Sequence, residues 1–358
     1  MKKLDIYIIK KFLGSFIYAI SLLAIIIIIF DISEKIDDFI EKSAPLSEII
    51  FSYYLNFIPY FINMFSALFT FISVIFFTSK MAYDTEIVAI LSSGISFKRM
   101  LKPFIIAASF IAIVSFILGN FIIPNTNEIM MNFEWKYIKV ARKVENKNIH
   151  MQIDSTTYAF VETYNTKRDL GRKFCLESIN DKGLTSKLTS DYIKWDSTNA
   201  SWELNNYTIR TIDGMKETFM KGKKLDTIIP LRPLDFVVNL EDVKSMDWWE
   251  IRDFIDKEKL KGSQNISEYE VEKHKRIAFP FANIILTLIG VAISSRKVRG
   301  GIGMHLGIGI TLTFSYILFM QFTTVFASYG NLSPVIAVWI PNILFGLISF
   351  YLIKIAPK

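Results

Sequence analysis

The sequence predicts a membrane α-helical protein, with six transmembrane helices arranged as three and three around an inserted extracytoplasmic antiparallel β domain. Apolar residues are concentrated in the first third and the last quarter of the 358-residue chain. A spanning helix needs about 20 mostly apolar residues, and six segments meet or approach that length. The polar middle of the chain instead alternates with a period of two, which is typical of strands.

The first apolar segment follows Lys2, Lys3, Lys10 and Lys11. It is interpreted as an anchor rather than as a signal peptide, because it is long and no small-x-small cleavage site follows it. The predicted spans are Phe12–Phe30, Phe57–Thr78, Phe104–Ile123, Ile277–Ser294, Met304–Ala327 and Val335–Ile353.

The distribution of basic residues predicts the orientation. Lys and Arg cluster in the N-terminal segment, in the second and fourth loops and in the tail, whereas the first loop, Asp31–Glu48, is mainly acidic. Cytoplasmic loops carry the excess of Lys and Arg. Both termini are therefore expected in the cytoplasm, with the polar middle, 124–275, outside.

Residues 84–95, between the second and third spans, predict a short cytoplasmic helix. Asp84 suits its N-cap, Glu86 in the first turn complements the helix dipole, and Gly94 suits the left-handed residue after its end. Three aliphatic residues spaced i, i+3 and i+4 give it an exposed apolar face, which resembles a docking surface; a helix resting on lipid headgroups is the alternative. The residues of this predicted site are Asp84, Glu86, Ile87, Ile90, Leu91 and Gly94.

The middle segment, from Met151 to Val238, predicts an antiparallel sandwich or roll. Tyr158–Tyr164 alternates apolar and polar residues, and so do the two segments on either side of the turn-prone Ser197–Ser201. After the strands, Ser245–Lys259 predicts an amphipathic helix, and Ser267–Arg276 predicts a second, polar helix that leads into the fourth span.

Two further patterns predict contacts in or near the membrane. Lys136, Lys139 and Arg142 fall on one face of a helix that continues past the third span, where they could meet anionic headgroups; a solvated helix face is the alternative. Gly303 and Gly307 are spaced GxxxG, which lets helices pack closely in lipid.

Motifs for catalysis and cofactor binding are missing from the sequence. There is no P-loop, no GxGxxG and no GxSxG, the three histidines are isolated, and Cys175 is the single cysteine. We therefore expect no catalytic residue, metal, cofactor or ATP site of its own. A buried charged pair is not expected in the spans, and the net charge of +7 fits membrane topology better than nucleic acid because the basic residues flank apolar runs.

Four segments resemble those of one membrane-protein family: Leu4–Leu13, Glu86–Ser96, Tyr269–Phe281 and Ala337–Asn342. Their order and spacing, together with three spans, an outer β domain and three more spans, resemble the lipopolysaccharide-export permeases of the LptF/LptG (YjgP/YjgQ-type) family. The opening Leu4-Asp-Ile-Tyr-Ile8 favours the LptG-like branch.

The resemblance implies a fold and a mechanism. Residues 1–123 and 276–358 would hold the two sets of three spans, and residues 124–275 would form a periplasmic jelly roll with flanking helices. An LptB-like cytoplasmic ATPase dimer would drive this permease and a second, LptF-like chain to extract lipopolysaccharide from the bacterial inner membrane. The jelly roll would pass the lipid to an LptC/LptA-like periplasmic bridge and so toward the outer membrane.

The resemblance also implies site residues. The helix at 84–95 would seat in the ATPase, with Glu86 as its anchoring acid. Some members carry basic residues near the end of the first span that meet lipid phosphates; here Glu34–Asp38 is mainly acidic, and Lys35 and Lys42 are the candidates.

Two alternatives stay open. One is a membrane-anchored sensor or assembly protein whose β domain binds a ligand without transport. The other is a MacB/FtsX-like mechanotransmission protein, which usually has four spans and is disfavoured by six.

Overall fold

A computed structural model describes residues 3–138, 145–165, 168–181, 183–236, 240–263, 265–296, 301–329 and 332–356. These residues group into two units. A helical unit contains the described residues within 1–138, 244–248 and 267–358, and a β unit contains those within 139–243 and 249–266.

The first half of the helical unit consists of three long helices and one short helix. They are α1 (Lys3–Glu41), α2 (Leu46–Tyr83), α3 (Glu86–Ser92) and α4 (Phe97–Tyr137). α2 and α4 each include a π-helical segment, at Ile49–Tyr54 and Leu118–Ile122. Pro124 has no N–H to donate to the carbonyl of Asn120, so a local widening of α4 at this point is expected.

The acidic segment predicted as the first loop is mostly helix, so that prediction is wrong. α1 continues to Glu41 and α2 begins at Leu46, which leaves a connection of four residues. Asp31 and Lys35 form an i,i+4 ion pair along α1, at 2.8 Å, and such pairs support a helix. The aliphatic and aromatic residues between the charged ones recur at intervals of three and four, as expected on one face of a helix.

The β unit is an antiparallel sheet in which each described strand pairs with the next one along the chain. The prediction of an inserted antiparallel β domain between the third and fourth long helices is confirmed, and the strand order is that of a meander. A register shift at Ser178/Ile179 interrupts the pairing of the third and fourth strands. The strands are β1 (Glu145–Gln152), β2 (Thr157–Asn165), β3 (Leu170–Asn180), β4 (Gly183–Asp196), β5 (Ser201–Asp213) and β6 (Lys216–Thr227).

One face of this sheet carries the core of the β unit. Trp202 is completely buried and donates its indole N–H to the carbonyl of Leu231 at 2.8 Å. Tyr164 stacks on Phe236, with ring centroids 4.7 Å apart. The segment after β6, which ends in a 3₁₀ turn at Pro233–Phe236, therefore covers the strands on this side.

The chain then forms α5 (Leu240–Lys244) and α6 (Trp248–Lys261), followed by α7 (Ile266–Ser294), α8 (Gly301–Tyr329) and α9 (Pro334–Ile355). α6 corresponds to the predicted amphipathic helix. The polar segment Ser267–Arg276 is the first part of α7 rather than a separate helix. Across the described residues, six helices are long and apolar enough to cross a membrane, namely α1, α2, α4, α7, α8 and α9.

Close helix packing in this unit depends on Gly290 and Gly309, not on the predicted pair Gly303 and Gly307. A methyl group at Gly290 would lie 2.5 Å from Cγ1 of Val74, and one at Gly309 would lie 2.3 Å from Cδ1 of Ile75, so both glycines lie against α2. Among the described residues, nothing lies within 4 Å of such a group at Gly303 or Gly307. Those two glycines lie on an exposed side of α8, whereas His305, on the side that faces α2, is buried and lies 2.8 Å from the Ser79 hydroxyl.

Candidate functional site

The short helix α3 lies between two sharp backbone turns, and we name it the coupling helix after the role that the family resemblance implies. Thr85 precedes it in the left-handed conformation (φ 61°), and Gly94 follows it in the same region (φ 86°). Ser96 then caps α4 by accepting a hydrogen bond from the backbone N–H of Arg99 at 3.3 Å. Asp84 is not the N-cap that the sequence predicted, because it ends α2.

The apolar face of the coupling helix is not exposed, which corrects the sequence-based expectation. Ile87 is only 2% exposed and belongs to the core of the helical unit, and Ile90 and Leu91 pack against that core. On the opposite face, Val88 is 59% exposed. The aliphatic residues therefore hold the helix on its own unit.

The N-terminal turns of α1 contact both the coupling helix and α4. The hydroxyl of Tyr7 donates to the Glu86 carboxylate, 3.3 Å from Oε1 and 3.2 Å from Oε2. The Arg99 guanidinium donates to both oxygens of Asp5 at 2.8 Å, and Asp5 is only 6% exposed. These contacts were not predicted from the sequence, although Asp5 and Tyr7 lie in the opening motif that resembles the family.

At the other end of α1, a charged pair lies beside an aromatic cluster. The aromatic cluster consists of Phe39, Tyr53, Tyr54, Phe57, Phe133 and Tyr137, contributed by α1, α2 and α4.

Asp31 pairs with Lys35 at 2.8 Å and also accepts from the hydroxyls of Tyr53, at 3.2 Å, and Tyr54, at 3.1 Å. The Lys35 ammonium contacts the Tyr53 hydroxyl and lies 4.8 Å from the centroid of that ring. This charged pair is partly buried, with side chains 19% and 10% exposed, and it lies just beyond the predicted span Phe12–Phe30, in the segment predicted as the first loop.

The described basic residues predicted to contact headgroups differ in their surroundings. Lys136 pairs with Glu48 at 3.0 Å and lies 4.6 Å from the ring centroid of Tyr137, so Lys35 and Lys136 border the same aromatic cluster. Lys42 is exposed in the connection between α1 and α2. Lys139 and Arg142 lie outside the described residues.

The β unit contains a groove of about 750 Å³. Cys175, Glu177, Lys187 and Thr208 are among the residues that line it. A 2.7 Å hydrogen bond between Lys187 and Glu177 across two strands lowers the pKa of that carboxyl and raises the pKa of the amine. Burial raises the pKa of the Cys175 thiol to about 11, and the nearby Glu177 adds to the effect.

Within the described part of the chain, no group of three or more His, Cys, Asp and Glu side chains could hold a metal ion.

Comparison with known proteins identifies the family of this chain. No curated protein matches the chain. The family described as lipopolysaccharide export system permease LptF/LptG matches residues 6–355, which is nearly the whole chain. The chain, a multi-pass membrane protein with a β domain between its third and fourth spanning helices, therefore belongs to the LptF/LptG family of lipopolysaccharide export permeases.

Proposed function

We propose that this chain is the permease subunit of an ATP-driven transporter that extracts lipopolysaccharide from the inner membrane. A separate cytoplasmic ATPase dimer, LptB-like, supplies the energy by binding the coupling helix. The β unit lies in the periplasm and passes the lipid to a periplasmic bridge protein of the LptC/LptA kind. Family membership and the six spanning helices support this proposal.

The observation that carries the proposal is the geometry of the coupling helix. A helix that transmits force must be stiff and must be attached to the spans. The coupling helix is bounded by turns at Thr85 and Gly94, and Ile87 fastens it to the core that also contains residues of α1, α2 and α4. Glu86 and Val88 are left on its outer side for the ATPase.

The aromatic cluster is the proposed headgroup site. Lys35 and Lys136 border it, so it offers cations for phosphate and ring faces for apolar groups. A phosphate group would compete with Asp31 and Glu48 for these two amines. Each near-surface basic residue contributes about 1 kcal/mol toward an anionic membrane surface, so single substitutions here should weaken lipid binding only modestly.

A second permease chain of the same family is the proposed neighbour in the membrane. α1 and α8 are the least covered of the spanning helices within this chain. Gly303 and Gly307 lie on the open side of α8, where small residues would let another helix approach closely.

Glu86→Lys tests the proposed ATPase contact. If Glu86 pairs with a basic group of the ATPase, truncating one member of such a pair costs about 2–5 kcal/mol. Recovery of the ATPase with the purified permease should then fall tenfold or more for Glu86→Lys, and less for Glu86→Gln. The measurement is the yield of ABC-type ATPase, identified by mass spectrometry, with permease purified from native membranes, together with ATP hydrolysis of the complex.

Lys98→Gln is the matched control, because Lys98 is exposed, charged and close to the coupling helix without lying on it. Its complex should form normally. Unchanged ATPase recovery and activity in Glu86→Lys would contradict the docking role. Permease that carries no ATPase even as the unchanged chain would instead favour a ligand-binding sensor without transport.

A further inference from the structure

The opening motif of the chain, Leu4-Asp-Ile-Tyr-Ile8, has no role in the proposed function as stated so far. Two of its side chains make long-range polar contacts, one with the coupling helix and one with the start of α4. Tyr7 donates to Glu86 in the first turn of the coupling helix. Asp5 accepts both donors of Arg99, which lies in the first turn of α4, three residues after its Ser96 cap. The coupling helix and the helix that follows it are therefore each joined to the same turn of α1.

We propose that Tyr7 and Asp5 are positioning residues for ATPase coupling. Tyr7 orients the Glu86 carboxylate toward the ATPase, and Asp5 holds the start of α4 to α1 so that movement of the coupling helix is passed to α1. The proposal rests on the proposed function, since it assumes that Glu86 meets an ATPase.

The hydroxyl of Tyr7 can orient Glu86 without blocking it. An ionised carboxylate offers about four lone-pair positions, and one tyrosine O–H occupies one of them. A basic group can therefore approach the same carboxylate while Tyr7 stays in place. Because a free Glu side chain loses rotamer freedom on binding, a side chain already held in one orientation binds with a smaller entropy loss.

The Asp5–Arg99 pair is built to resist movement. It is bidentate, with both N–O distances at 2.8 Å, and it fixes direction as well as distance. The Asp5 carboxylate is buried, so separating the pair would cost free energy, because a buried charge would lose a bidentate partner.

Apolar packing joins the same three elements as these polar contacts, namely the start of α1, the coupling helix and α4. Ile8 and Phe12 are fully buried in the core that contains Ile87, and the rings of Phe12 and Phe104 are 6.1 Å apart. Farther along α1, Ile17 and Tyr18 are exposed. The first turns of α1 are therefore packed into the same core as the coupling helix and α4, whereas Ile17 and Tyr18 are not covered by this chain.

Tyr7→Phe tests the first half of the proposal. It removes the hydroxyl and keeps the ring, whose centroid lies 6.3 Å from that of Phe77. ATPase recovery with the full-length permease should fall about three- to tenfold, because the freed Glu86 side chain would then lose its rotamer freedom on binding the ATPase. The melting temperature of the permease without ATPase should stay unchanged, because the contact is exposed.

Asp5→Asn tests the second half of the proposal. The quantity measured is the amount of lipopolysaccharide released per ATP hydrolysed, which a purely structural defect would not change. ATPase recovery and ATP hydrolysis should persist, while lipopolysaccharide released per ATP hydrolysed falls severalfold. Exchanging the charges, Asp5→Arg with Arg99→Asp, should restore part of that ratio, whereas either single reversal should not.

Glu86→Lys distinguishes failure of the positioning roles of Tyr7 and Asp5 from failure of the proposed function. If it abolishes ATPase binding while Tyr7→Phe and Asp5→Asn change nothing, the positioning roles are overturned and the proposed function stands. If Glu86→Lys has no effect either, both are overturned. A lowered melting temperature that accounts for the lost recovery in Tyr7→Phe would also overturn the positioning role, since the hydroxyl would then be a stability contact.

Discussion

The Lys35 ammonium shows how a charge can lie among apolar helices at the level of single residues. It is only 19% exposed, and its neighbours are the Asp31 carboxylate, the Tyr53 hydroxyl and the faces of two aromatic rings. Asp31 keeps two tyrosine hydroxyls as donors even when Lys35 leaves. The pair is therefore asymmetric, because Lys35 depends on Asp31 more than Asp31 depends on Lys35.

We expect Asp31→Asn to destabilise the helical unit by about 1–3 kcal/mol, because it leaves Lys35 charged and mostly buried without its counter-ion. Lys35→Met should destabilise it less, since Asp31 retains its hydroxyl donors. Glu48→Gln is the matched control: its pair with Lys136 is exposed on both sides, where solvent screens it, and should contribute little to stability. Thermal unfolding in detergent measures all three, and an Asp31→Asn variant as stable as Glu48→Gln would contradict the asymmetry.

Cys175 should be a slow nucleophile with a steep pH dependence. With a pKa of about 11, only about one thiol in a thousand is ionised at pH 8, compared with roughly a quarter for an unperturbed cysteine. The alkylation rate should rise about tenfold per pH unit between pH 7 and 10. Intact-mass measurement suffices because the chain has no other cysteine, and fast labelling at pH 7 would contradict the raised pKa of the thiol.

At the level of elements, the strands were the easiest to predict. Their alternation reports directly on a sheet with one covered face, and the turn residues mark the ends, as at Asn180 and Gly183. The end of α1 was mispredicted because charge was used as a loop signal, whereas the i,i+4 pairing of Asp31 and Lys35 satisfies those charges within a helix. Charge reports the surroundings of a residue and does not by itself report the backbone conformation.

The glycines of the spanning helices also show that a local sequence pattern does not reveal the packing around it. The GxxxG spacing at Gly303 and Gly307 predicts a packing face, but it cannot say which helix, if any, lies opposite. Gly290 belongs to no such motif and is nevertheless the position where α7 meets Val74 of α2.

Gly290→Ala should therefore destabilise the helical unit, by about 1–3 kcal/mol. The new methyl group would meet Val74 Cγ1 at 2.5 Å, and the branched valine has little rotamer freedom with which to move aside. Gly346→Ala in α9 is the control, with the same chemical change in an open position, and should be neutral or slightly stabilising because alanine favours helix. Melting temperatures of the two purified variants decide this, and equal values would show that α7 can shift away from α2.

At the scale of the whole molecule, the sequence placed the coupling helix but not the contacts that hold it. Glu86 meets Tyr7 across 79 positions and Arg99 meets Asp5 across 94. Such pairs depend on how α1 packs against α4, and no local pattern contains that information. The aromatic cluster was missed for the same reason, since its members come from three helices whose side-by-side packing only the structure reveals.

The orientation of the chain in the membrane can be tested by thiol labelling, because the chain's own Cys175 reacts slowly. Charge bias predicts the β unit outside and the segment between α2 and α4 inside. Met215, at the turn between β5 and β6, is fully exposed, and Lys98 is exposed at the start of α4. In intact spheroplasts at pH 7, a membrane-impermeant maleimide should therefore label Met215→Cys quickly and Lys98→Cys only after the membrane is permeabilised. Cys175 adds little background, because its raised pKa keeps the thiol protonated at that pH. The reverse order of labelling would place the β unit in the cytoplasm, and a periplasmic route for the lipid would then be impossible.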